Sequence, residues 1–243
     1  MTAHHFFVAP DAIAGDVVTI GAEEGHHAAH VLRVRVGEAI TVADDTGRVV
    51  DAVVSRVGDV VEANVLKETI HADPKPAITL YQALTKGEKF DDVVQKAAEI
   101  GVGRITPFVA DRSVVKWDGA KRSKAHRRWC AVARAAAKQS RSPRICVVDE
   151  IADGVCVAID GAGPVWVLHE SDDAPRLRRA LPEQAPEVAA LVVGPEGGFS
   201  DDEIDALRAG GAEPVWLGPR ILRTETAGLV AAAIVSFAYG VLG

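Results

Sequence analysis

The sequence of 243 residues is short of cysteine and has no long uncharged segment of the kind that crosses a membrane. An odd number of cysteines without a CxxC pair argues against a disulfide framework or a zinc knuckle. We therefore expect Cys130, Cys146 and Cys156 to be small buried side chains in a reducing compartment. The longest uncharged run, residues 226–243, is shorter than the roughly 20 residues that span a bilayer and predicts a buried helix without membrane contact. Residues 1–10 lack the basic and apolar regions of a signal peptide, so a cytoplasmic location is predicted.

Acidic residues are also almost missing from one segment of an otherwise acidic chain. The formal net charge is −7, but residues 112–144 contain eleven lysines and arginines and a single acid, Asp118, which gives this segment +10 and the rest of the chain −17. A compact cationic face on an acidic protein is typical of a site for a polyanion. The alternative is a solvated helix face, although such faces usually carry both signs of charge.

Residues 1–71 are rich in valine and isoleucine and predict a small β-barrel or sandwich. Turn residues at 45–47 and 58–59 separate strand candidates, and residues 24–34 predict one short helix. Residues 72–76 contain two prolines, which disfavour helix, and are interpreted as an interdomain linker. The predicted strands of the first domain are Val17–Ile20, Ala39–Ala43, residues 49–57 and residues 60–66.

Residues 77–243 alternate between apolar runs and helical patterns, which predicts an α/β domain with a mostly parallel sheet. Ser200 and Glu203 have the spacing of a capping box, so a helix is predicted to start there, and Thr224 is predicted to cap the last helix. The predicted strands are residues 78–84, residues 105–109, Val165–Leu168, Val188–Val193 and residues 215–217. The predicted helices are residues 88–100, residues 120–140, and two that begin at Ser200 and near Glu225.

Two loops between a predicted strand and a predicted helix contain the residues best suited to chemistry. Residues 194–199, GPEGGF, carry three glycines that allow close approach of the backbone to a ligand, but they match neither a P-loop nor GxGxxG. Because Glu196 would repel a phosphate, this loop suits a neutral or cationic ligand; the alternative is a structural turn. Residues 217–226, LGPRILRTET, carry two arginines and a glutamate that are costly to bury unpaired; the alternative is a salt-bridged loop. Loops at the carboxyl ends of parallel strands are the usual ligand site of such sheets.

Five segments, taken in order, form a recognisable pattern. They are QALTKGEK at 82–89, QKAAEIGV at 95–102, RSVVK at 112–116, GPEGGFS at 194–200 and LGPRILRTETA at 217–227. This order resembles the RsmE family of the SPOUT superfamily, the bacterial 16S ribosomal RNA uridine-N3 methyltransferases. The resemblance covers essentially the whole chain, and the last two segments are highly specific in combination.

This resemblance implies a PUA-like RNA-binding β-barrel at 1–71, a linker at 72–76 and a SPOUT methyltransferase domain of α/β class at 77–243, with a deep C-terminal trefoil knot. It implies a homodimer that uses S-adenosyl-L-methionine, and no metal, to methylate N3 of a uridine in 16S rRNA of the small ribosomal subunit. The implied cofactor-binding residues are Leu168, His169, Gly194, Pro195, Glu196, Gly198, Leu217, Gly218, Ile221, Leu222 and Thr226.

Two residues are assigned to catalysis. Uridine N3 carries a proton and becomes a good nucleophile only as that proton leaves. Arg223 is expected to stabilise the resulting negative charge or to orient a phosphate, and Glu225 is expected to hold Arg223 or to act as the base. Basic residues elsewhere are expected to contact RNA phosphates. The residues assigned to RNA binding are His30, Arg33, Lys86, Lys89, Arg112, Lys116, Arg127, Arg134, Lys138 and Arg141.

Three alternatives accompany this interpretation. His26 and His30 are spaced as two metal ligands on a helix would be, but no third ligand is evident, so no metal site is predicted. Another SPOUT enzyme, such as a ribose 2′-O-methyltransferase, would leave a different methylated nucleoside. A non-catalytic RNA-binding assembly factor would transfer no methyl group at all.

Overall fold

The computed structural model describes residues 4–85, 89–113, 117–154, 163–170 and 174–243. The chain divides into two compact units. The first consists of Met1–Asp73 together with Ala137–Ile145, and the second consists of Pro74–Ala136 together with Cys146–Gly243. Lys86, Lys116 and Cys156, three residues with predicted roles or burial, lie outside the described ranges.

The first unit is built on a six-stranded sheet in the order β1-β4-β5-β6-β3-β2. β1 runs parallel to β4, and the other neighbouring pairs are antiparallel. Alternate side chains point to one face, where Phe6, Ile20, Ile40 and Val42 are fully buried in the core. The strands are β1 (His4–Phe7), β2 (Ile13–Ala14), β3 (Val17–Ile20), β4 (Ala39–Ala43), β5 (Arg48–Val57) and β6 (Val61–Ile70).

The helix predicted over residues 24–34 is wrong in form. A short helix α1 (Ala22–His26) passes directly into a π-helical turn, His27–Val31, in which the Leu32 N–H donates to the His27 carbonyl at 3.0 Å. The wider turn buries Ala28 completely in the core while His30 stays exposed. Hydrophobic periodicity alone does not show such a widened turn, because it counts an ideal 3.6-residue repeat.

The segment Ala137–Ile145 is an integral part of the first unit, which the predicted boundary at residue 71 does not include. Ala137 and Ile145 pack with Phe7. The Ile145 N–H donates to Asp45 Oδ1 at 2.6 Å. Arg144 Nη2 donates to the carbonyl oxygens of Thr46 and His71 at 3.0 and 2.9 Å. The β-rich unit is therefore completed by residues from much later in the chain.

The second unit is a wholly parallel sheet in the order β10-β8-β7-β12-β11-β13, with β9 also paired to β8. This confirms the predicted α/β class. Its strands are β7 (Ala77–Ala83), β8 (Arg104–Val109), β9 (Val147–Val148), β10 (Ala152–Asp153), β11 (Val165–Leu168), β12 (Val188–Val193) and β13 (Glu213–Val215). The remaining helices are α2 (Lys89–Glu99), α3 (Gly119–Ser140), α4 (Leu177–Ala180), α5 (Asp201–Ala209) and α6 (Thr224–Ala238).

Local predictions in the second unit had mixed outcomes. The capping box at the start of α5 is confirmed, since Ser200 accepts from the Glu203 N–H and the Glu203 carboxylate accepts from the Ser200 N–H. The strand expected at 215–217 instead ends at Val215. Thr224 is not the cap of α6, because that position is Arg223 and its side chain makes no capping bond. Cys130 is exposed, contrary to the expected burial, whereas Cys146 is buried.

Helix α6 packs against β7, β12 and α2, and its small residues permit that close contact. At Gly228 an added Cβ would lie 3.0 Å from both Gln82 Oε1 and a Leu80 methyl group. The burial expected for residues 226–243 is only partial, because Phe237 is 72% exposed. Among the described residues, no helix has both the length and the apolar character required to span a membrane. The knot implied by the resemblance stays a prediction.

Candidate active site

A cleft of about 670 Å³ lies in the second unit where the chain leaves β11, β12 and β13. The carboxyl ends of parallel strands meet at one edge of a sheet, which is why these three exits come together. Leu168 and His169 lie at the end of β11, residues 193–199 at the end of β12, and residues 215–218 at the end of β13. The volume is in the usual range for a small-molecule site, roughly 300–1,000 Å³.

The loop after β12 needs its glycines for packing as well as for conformation. A Cβ at Gly194 would lie 3.0 Å from the Phe199 ring, and a Cβ at Gly197 would lie 3.2 Å from Arg112 Cβ. Gly198 has φ +68° and its N–H donates to the Pro195 carbonyl at 2.9 Å, which closes a tight turn. Close packing therefore requires glycine at 194 and 197, whereas a Cβ at Gly198 would meet no atom within 4 Å, so the backbone is open at that residue.

The loop after β13 meets the loop after β12 at one buried hydrogen bond. Thr224 Oγ1, at the start of α6, donates to the Gly194 carbonyl. Gly218 has φ +142°, a conformation that favours glycine, and Ile221 is 79% exposed at the cleft. Two loops that are 30 positions apart in sequence at this bond thus form walls of the same cleft.

Three charged side chains gather at the start of α6. Lys89 Nζ lies 3.0 Å from Glu225 Oε1, and Arg223 Nη1 lies 4.0 Å from the same oxygen. The Glu225 side chain is only 19% exposed, whereas that of Arg223 is 79% exposed. Glu225 Oε2 is buried and has no hydrogen-bond partner among the described residues.

The surroundings of Glu225 keep it ionised. Burial by itself raises the pKa of this carboxyl group, but three other influences outweigh it. The backbone N–H of Glu225, the hydrogen bond from Lys89 and the charges of Lys89 and Arg223 together lower the pKa below its ordinary value. A carboxylate with a lowered pKa is a weak base at neutral pH, so this environment favours a positioning role over proton abstraction.

Hydrogen bonds that join Ser200 and Glu203 to Asp111, together called the latch, hold the loop that carries Arg112 at the cleft. Glu203 Oε1 accepts a hydrogen bond from the Asp111 N–H at 2.9 Å, and Ser200 Oγ donates to Asp111 Oδ2 at 2.8 Å. Arg112 Nη1 then donates to the Gly197 carbonyl at 3.3 Å. The start of α5 thereby fixes the loop that carries Arg112 against the glycine-rich loop.

His169 follows β11 and is partly buried, and its backbone N–H donates to the Val215 carbonyl at 2.9 Å. Burial and the charge of Arg208 lower the pKa of its imidazole, while Asp201 and Glu170 oppose them. The ring is therefore neutral at physiological pH and can donate or accept a hydrogen bond.

The cleft contains most of the residues that the sequence assigned to it. Thr226 is the exception among the cofactor-binding assignments: it is exposed beyond the cleft. The assigned residues that line the cleft are Leu168, His169, Gly194, Pro195, Glu196, Gly198, Leu217, Gly218, Ile221, Leu222, Arg223, Glu225, Lys89 and Arg112.

The other RNA-binding assignments lie elsewhere. His30, Arg33, Lys138 and Arg141 belong to the first unit. Arg127 and Arg134 lie on the part of α3 that belongs to the second unit. The structure therefore does not gather these assigned residues into the cleft.

Much of the basic segment is neutralised by acids from other parts of the chain. Arg122 pairs with Asp153 at 2.6 Å and Arg128 pairs with Asp91 at 2.7 Å. Lys138 binds both carboxylate oxygens of Glu24, at 2.5 and 2.8 Å, and Arg144 pairs with Asp73 at 2.9 Å. The exposed basic side chains of this segment that form no ion pair with another described residue are Arg112, Lys121, Lys124, Arg127 and Arg141.

Sequence reasoning missed several residues of the cleft. Trp216 lines it with Arg176 stacked 5.2 Å from its ring centroid. Thr224 was assigned to a helix cap, although its hydroxyl joins the two loops. The available signal was their place beside the second loop, because Trp216 lies in the strand predicted to lead into it and Thr224 lies within residues 217–226. The missed lining residues are Glu170, Val193, Gly197, Phe199, Val215, Trp216, Arg220, Thr224 and Ala227.

Comparison with known families places this architecture in a defined class. A family model described as an RNA methyltransferase domain matches residues 72–236, and one described as an RNA methyltransferase PUA domain matches residues 20–59. The fold and cleft are thus those of an RNA methyltransferase of the SPOUT type that carries a PUA-like domain.

Two relatives identify the family within this class of RNA methyltransferases. The ribosomal RNA small subunit methyltransferase E of Mycobacterium bovis is 39% identical over 238 residues, which cover 95% of this chain and 90% of that protein. The enzyme of the same name from Bacillus subtilis is 32% identical, over 90% of this chain and 89% of that protein. The chain belongs to the ribosomal RNA small subunit methyltransferase E family, which confirms the resemblance seen in the sequence.

Solved structures agree with this assignment. A Legionella pneumophila protein solved with the cofactor SAM bound superposes with a TM-score of 0.84 at 31% identity, covering 98% of this chain and 99% of that one. The methyltransferase E of Neisseria gonorrhoeae, bound to S-adenosyl methionine, gives a TM-score of 0.81 at 29% identity and 97% coverage of both chains.

Proposed function

We propose that this chain transfers the methyl group of S-adenosyl-L-methionine to N3 of a uridine in the 16S rRNA of the small ribosomal subunit. The observation that carries the proposal is the buried bond from Thr224 to Gly194, because it joins the two signature loops of the family into one cleft. The names of the relatives and the cofactor bound to two structural neighbours support the substrate and the methyl donor.

The cleft has the features that S-adenosylmethionine requires. The open backbone at Gly198 allows close approach of an adenosine or amino acid moiety. Glu196 and Glu225 supply negative charge toward a sulfonium cation and an amine, and Glu225 Oε2, which has no partner among the described residues, is free to accept a hydrogen bond. When bound, this cofactor supplies an electrophilic methyl carbon. The residues proposed to hold it are Leu168, His169, Gly194, Pro195, Glu196, Gly198, Leu217, Gly218, Ile221 and Leu222.

The protein's part in the reaction is alignment and charge stabilisation. Direct displacement requires the nucleophile to be held in line with the methyl carbon. The exposed guanidinium of Arg223 donates hydrogen bonds to uracil oxygens, on which negative charge grows as N3 loses its proton to solvent water. Glu225 stays ionised and fixes this end of the cleft, and we assign it no proton transfer at neutral pH.

RNA reaches the cleft as a splayed nucleotide. A base within a stacked helix cannot enter a pocket, so the target uridine must leave its stack. The exposed Lys121, Lys124, Arg127 and Arg141 are suited to phosphate contacts, which position RNA without reading its sequence. We propose a homodimer, supported by the exposed apolar side chains of Ile221 and Phe237, and a cytoplasmic location where small subunits are assembled.

Nucleoside analysis of small subunits that lack the modification tests this function. The subunits are incubated with the protein and isotopically labelled S-adenosylmethionine, and the 16S rRNA is digested and analysed by mass spectrometry. Labelled N3-methyluridine at one position is expected. A 2′-O-methylated nucleoside would replace the proposed reaction with ribose methylation. Binding to subunits without any labelled nucleoside would indicate a non-catalytic assembly factor.

A further inference from the structure

The position of Lys89 suits it to a role other than the RNA contact predicted for it from the sequence. It is the first residue of α2, and its ammonium group points to the first turn of α6, where it bonds Glu225 Oε1 at 3.0 Å. The Lys89 side chain is 41% exposed and Glu225 is 19% exposed, so the bond is sheltered mainly on the carboxylate side. A lysine committed in this way has less freedom to follow an RNA phosphate.

Among the described residues, the charged groups that act on Glu225 lie in two places. Lys89 approaches from α2, and Arg223 approaches from the turn before α6 at 4.0 Å. The two strands under α6, β7 and β12, contain no charged residue, and at Gly228 they present Gln82, Leu80 and Val193. Lys89 is therefore the nearer of the two cations on Glu225, and the only one in hydrogen-bond contact.

Arg223 is barely engaged by the carboxylate that lies beside it. At 4.0 Å and 79% exposure its guanidinium remains available to a substrate. If Lys89 were absent, Arg223 would be the only cation beside Glu225 among the described residues, and attraction would draw the guanidinium toward Glu225 and away from the target base. The ion pair between Lys89 and Glu225 thus leaves the Arg223 guanidinium free to contact a substrate.

We infer that Lys89 is a positioning residue for methyl transfer, which acts by holding Glu225 and so leaves Arg223 free to face the target base. This inference rests on the proposed function, and it gives Lys89 a role in turnover in place of a role in RNA affinity. This role involves only Lys89, Glu225 and Arg223 and requires no change in how the cofactor binds.

The test compares Lys89→Met with Lys96→Met, which removes an exposed lysine from the same helix. For Lys89→Met we expect kcat to fall by about tenfold or more, while KM for small subunits changes less than twofold. Lys89→Arg, which keeps the charge and a donor, is expected to recover most of the loss. Lys96→Met should match the unmodified protein in both constants.

A pH series gives a readout that a purely structural role would not change. Removing the Lys89 charge raises the pKa of Glu225, and a protonated Glu225 no longer attracts Arg223. The ratio of Lys89→Met to wild-type activity is therefore expected to rise as pH is lowered from 7 toward 5. In a Glu225→Gln background this pH dependence should vanish, and the additional Lys89→Met change should cost little. An NMR titration of the Glu225 carboxyl carbon shows the same pKa change without any turnover.

The outcomes separate the inference from the function on which it rests. A wild-type protein that leaves small subunits unmethylated refutes the proposed function. The NMR titration still tests whether Lys89 lowers the pKa of Glu225, because it needs no turnover. With an active wild type, a raised KM, unchanged kcat and a salt dependence of binding that is shallower by about one unit would make Lys89 a phosphate contact and overturn the inference. Unchanged constants would overturn it as well. Should Lys89→Met fail to fold, Lys89→Gln is read by the same criteria.

Discussion

Arg223 and Glu225 lie two positions apart in the same turn, yet their surroundings suit them to different tasks. The guanidinium reaches into solvent at the cleft, whereas the carboxylate is sheltered and ion-paired. An exposed, mobile cation can adjust to charge that develops on a substrate, while a carboxylate with a lowered pKa resists protonation. The sequence left two roles open for Glu225, holding Arg223 or acting as the base, and the bond from Lys89 and the lowered pKa argue against the role of base.

Arg223→Ala tests the role of this guanidinium in turnover. We expect kcat to fall by roughly 10²–10³, the usual effect of removing a donor that stabilises developing charge. Calorimetric affinity for S-adenosylmethionine is expected to stay within a few-fold, because Glu225 and the glycine-rich loop remain. Arg179→Ala, an exposed arginine on α4 outside the cleft, is the control. Loss of cofactor binding in a folded variant would show that Arg223 belongs to the cofactor site instead.

His5 links folding of the first unit to pH. It is 7% exposed, its Nε2 lies 3.1 Å from the Ser142 carbonyl, and its Nδ1 is buried with no partner among the described residues. Burial lowers the pKa of this imidazole below its ordinary value, with a smaller contribution from the charges of Arg141 and Lys138. A proton therefore binds the unfolded chain more readily than the folded one.

The stability that His5 provides is fully present above pH 6.5, its ordinary pKa, and is lost as pH falls toward the lower pKa of the folded state. Chemical denaturation at pH 7.5 and 5.5 measures this loss. His5→Gln keeps a donor for the Ser142 carbonyl but does not titrate, so its stability should change less between the two pH values. An equal loss in both proteins would exclude His5 as the source.

At the scale of elements, four strands are predicted to the residue: Val17–Ile20, Ala39–Ala43, Val165–Leu168 and Val188–Val193. Each is a largely apolar run bounded by glycine, proline or polar residues, which leaves one favourable placement. The ends of elements are harder. Strand β13 stops before Trp216, which forms only an isolated bridge to Arg176. A pattern of residue types does not show which partner strand is present.

The start of α6 shows why side-chain roles are less predictable than elements. Thr224 has the residue type of a helix cap, and the helix does begin beside it. Its hydroxyl nevertheless bonds the Gly194 carbonyl of a distant loop. Only the folded arrangement of the two loops reveals that competing acceptor, so a rule based on local spacing assigned the wrong partner.

Ser200→Ala tests the latch at the start of α5. The hydroxyl accepts from the Glu203 N–H and donates to Asp111, so its removal is expected to cost about 1–2 kcal/mol of the free energy of unfolding. Urea denaturation followed by circular dichroism measures this. Asp205→Ala, which removes an exposed ion pair on the same helix, should change stability little. A loss no larger than that of the control would show that the latch contributes nothing.

At the scale of the whole molecule, the linear sequence hides two long-range relations. The count of charges gave residues 112–144 a strong positive field, but Asp91, Asp153 and Glu24 from other segments neutralise part of it. Composition shifts placed a boundary at residue 71, but the first unit also uses Ala137–Ile145. Both relations depend on tertiary contacts that composition does not contain.

Arg144→Ala tests the contribution of that late segment to the first unit. The substitution removes the guanidinium donor from the exposed carbonyl oxygens of Thr46 and His71 and should cost about 0.5–1.5 kcal/mol. We expect faster amide hydrogen exchange in β5 and β6, whose ends at Arg48 and Ile70 are adjacent to these carbonyls. Arg127→Ala, an exposed substitution on α3, is the control. Unchanged exchange in both strands would mean that Arg144 does not stabilise the unit.

The most direct test of the account is a crystal structure of this protein with S-adenosylmethionine bound. We expect the methyl donor to lie between residues 194–198 and residues 217–222, with Arg223 beside the methyl group and Lys89 still bonded to Glu225. A donor bound outside this cleft, or the two loops found on separate surfaces, would contradict the assignment of the cleft as the site of methyl transfer.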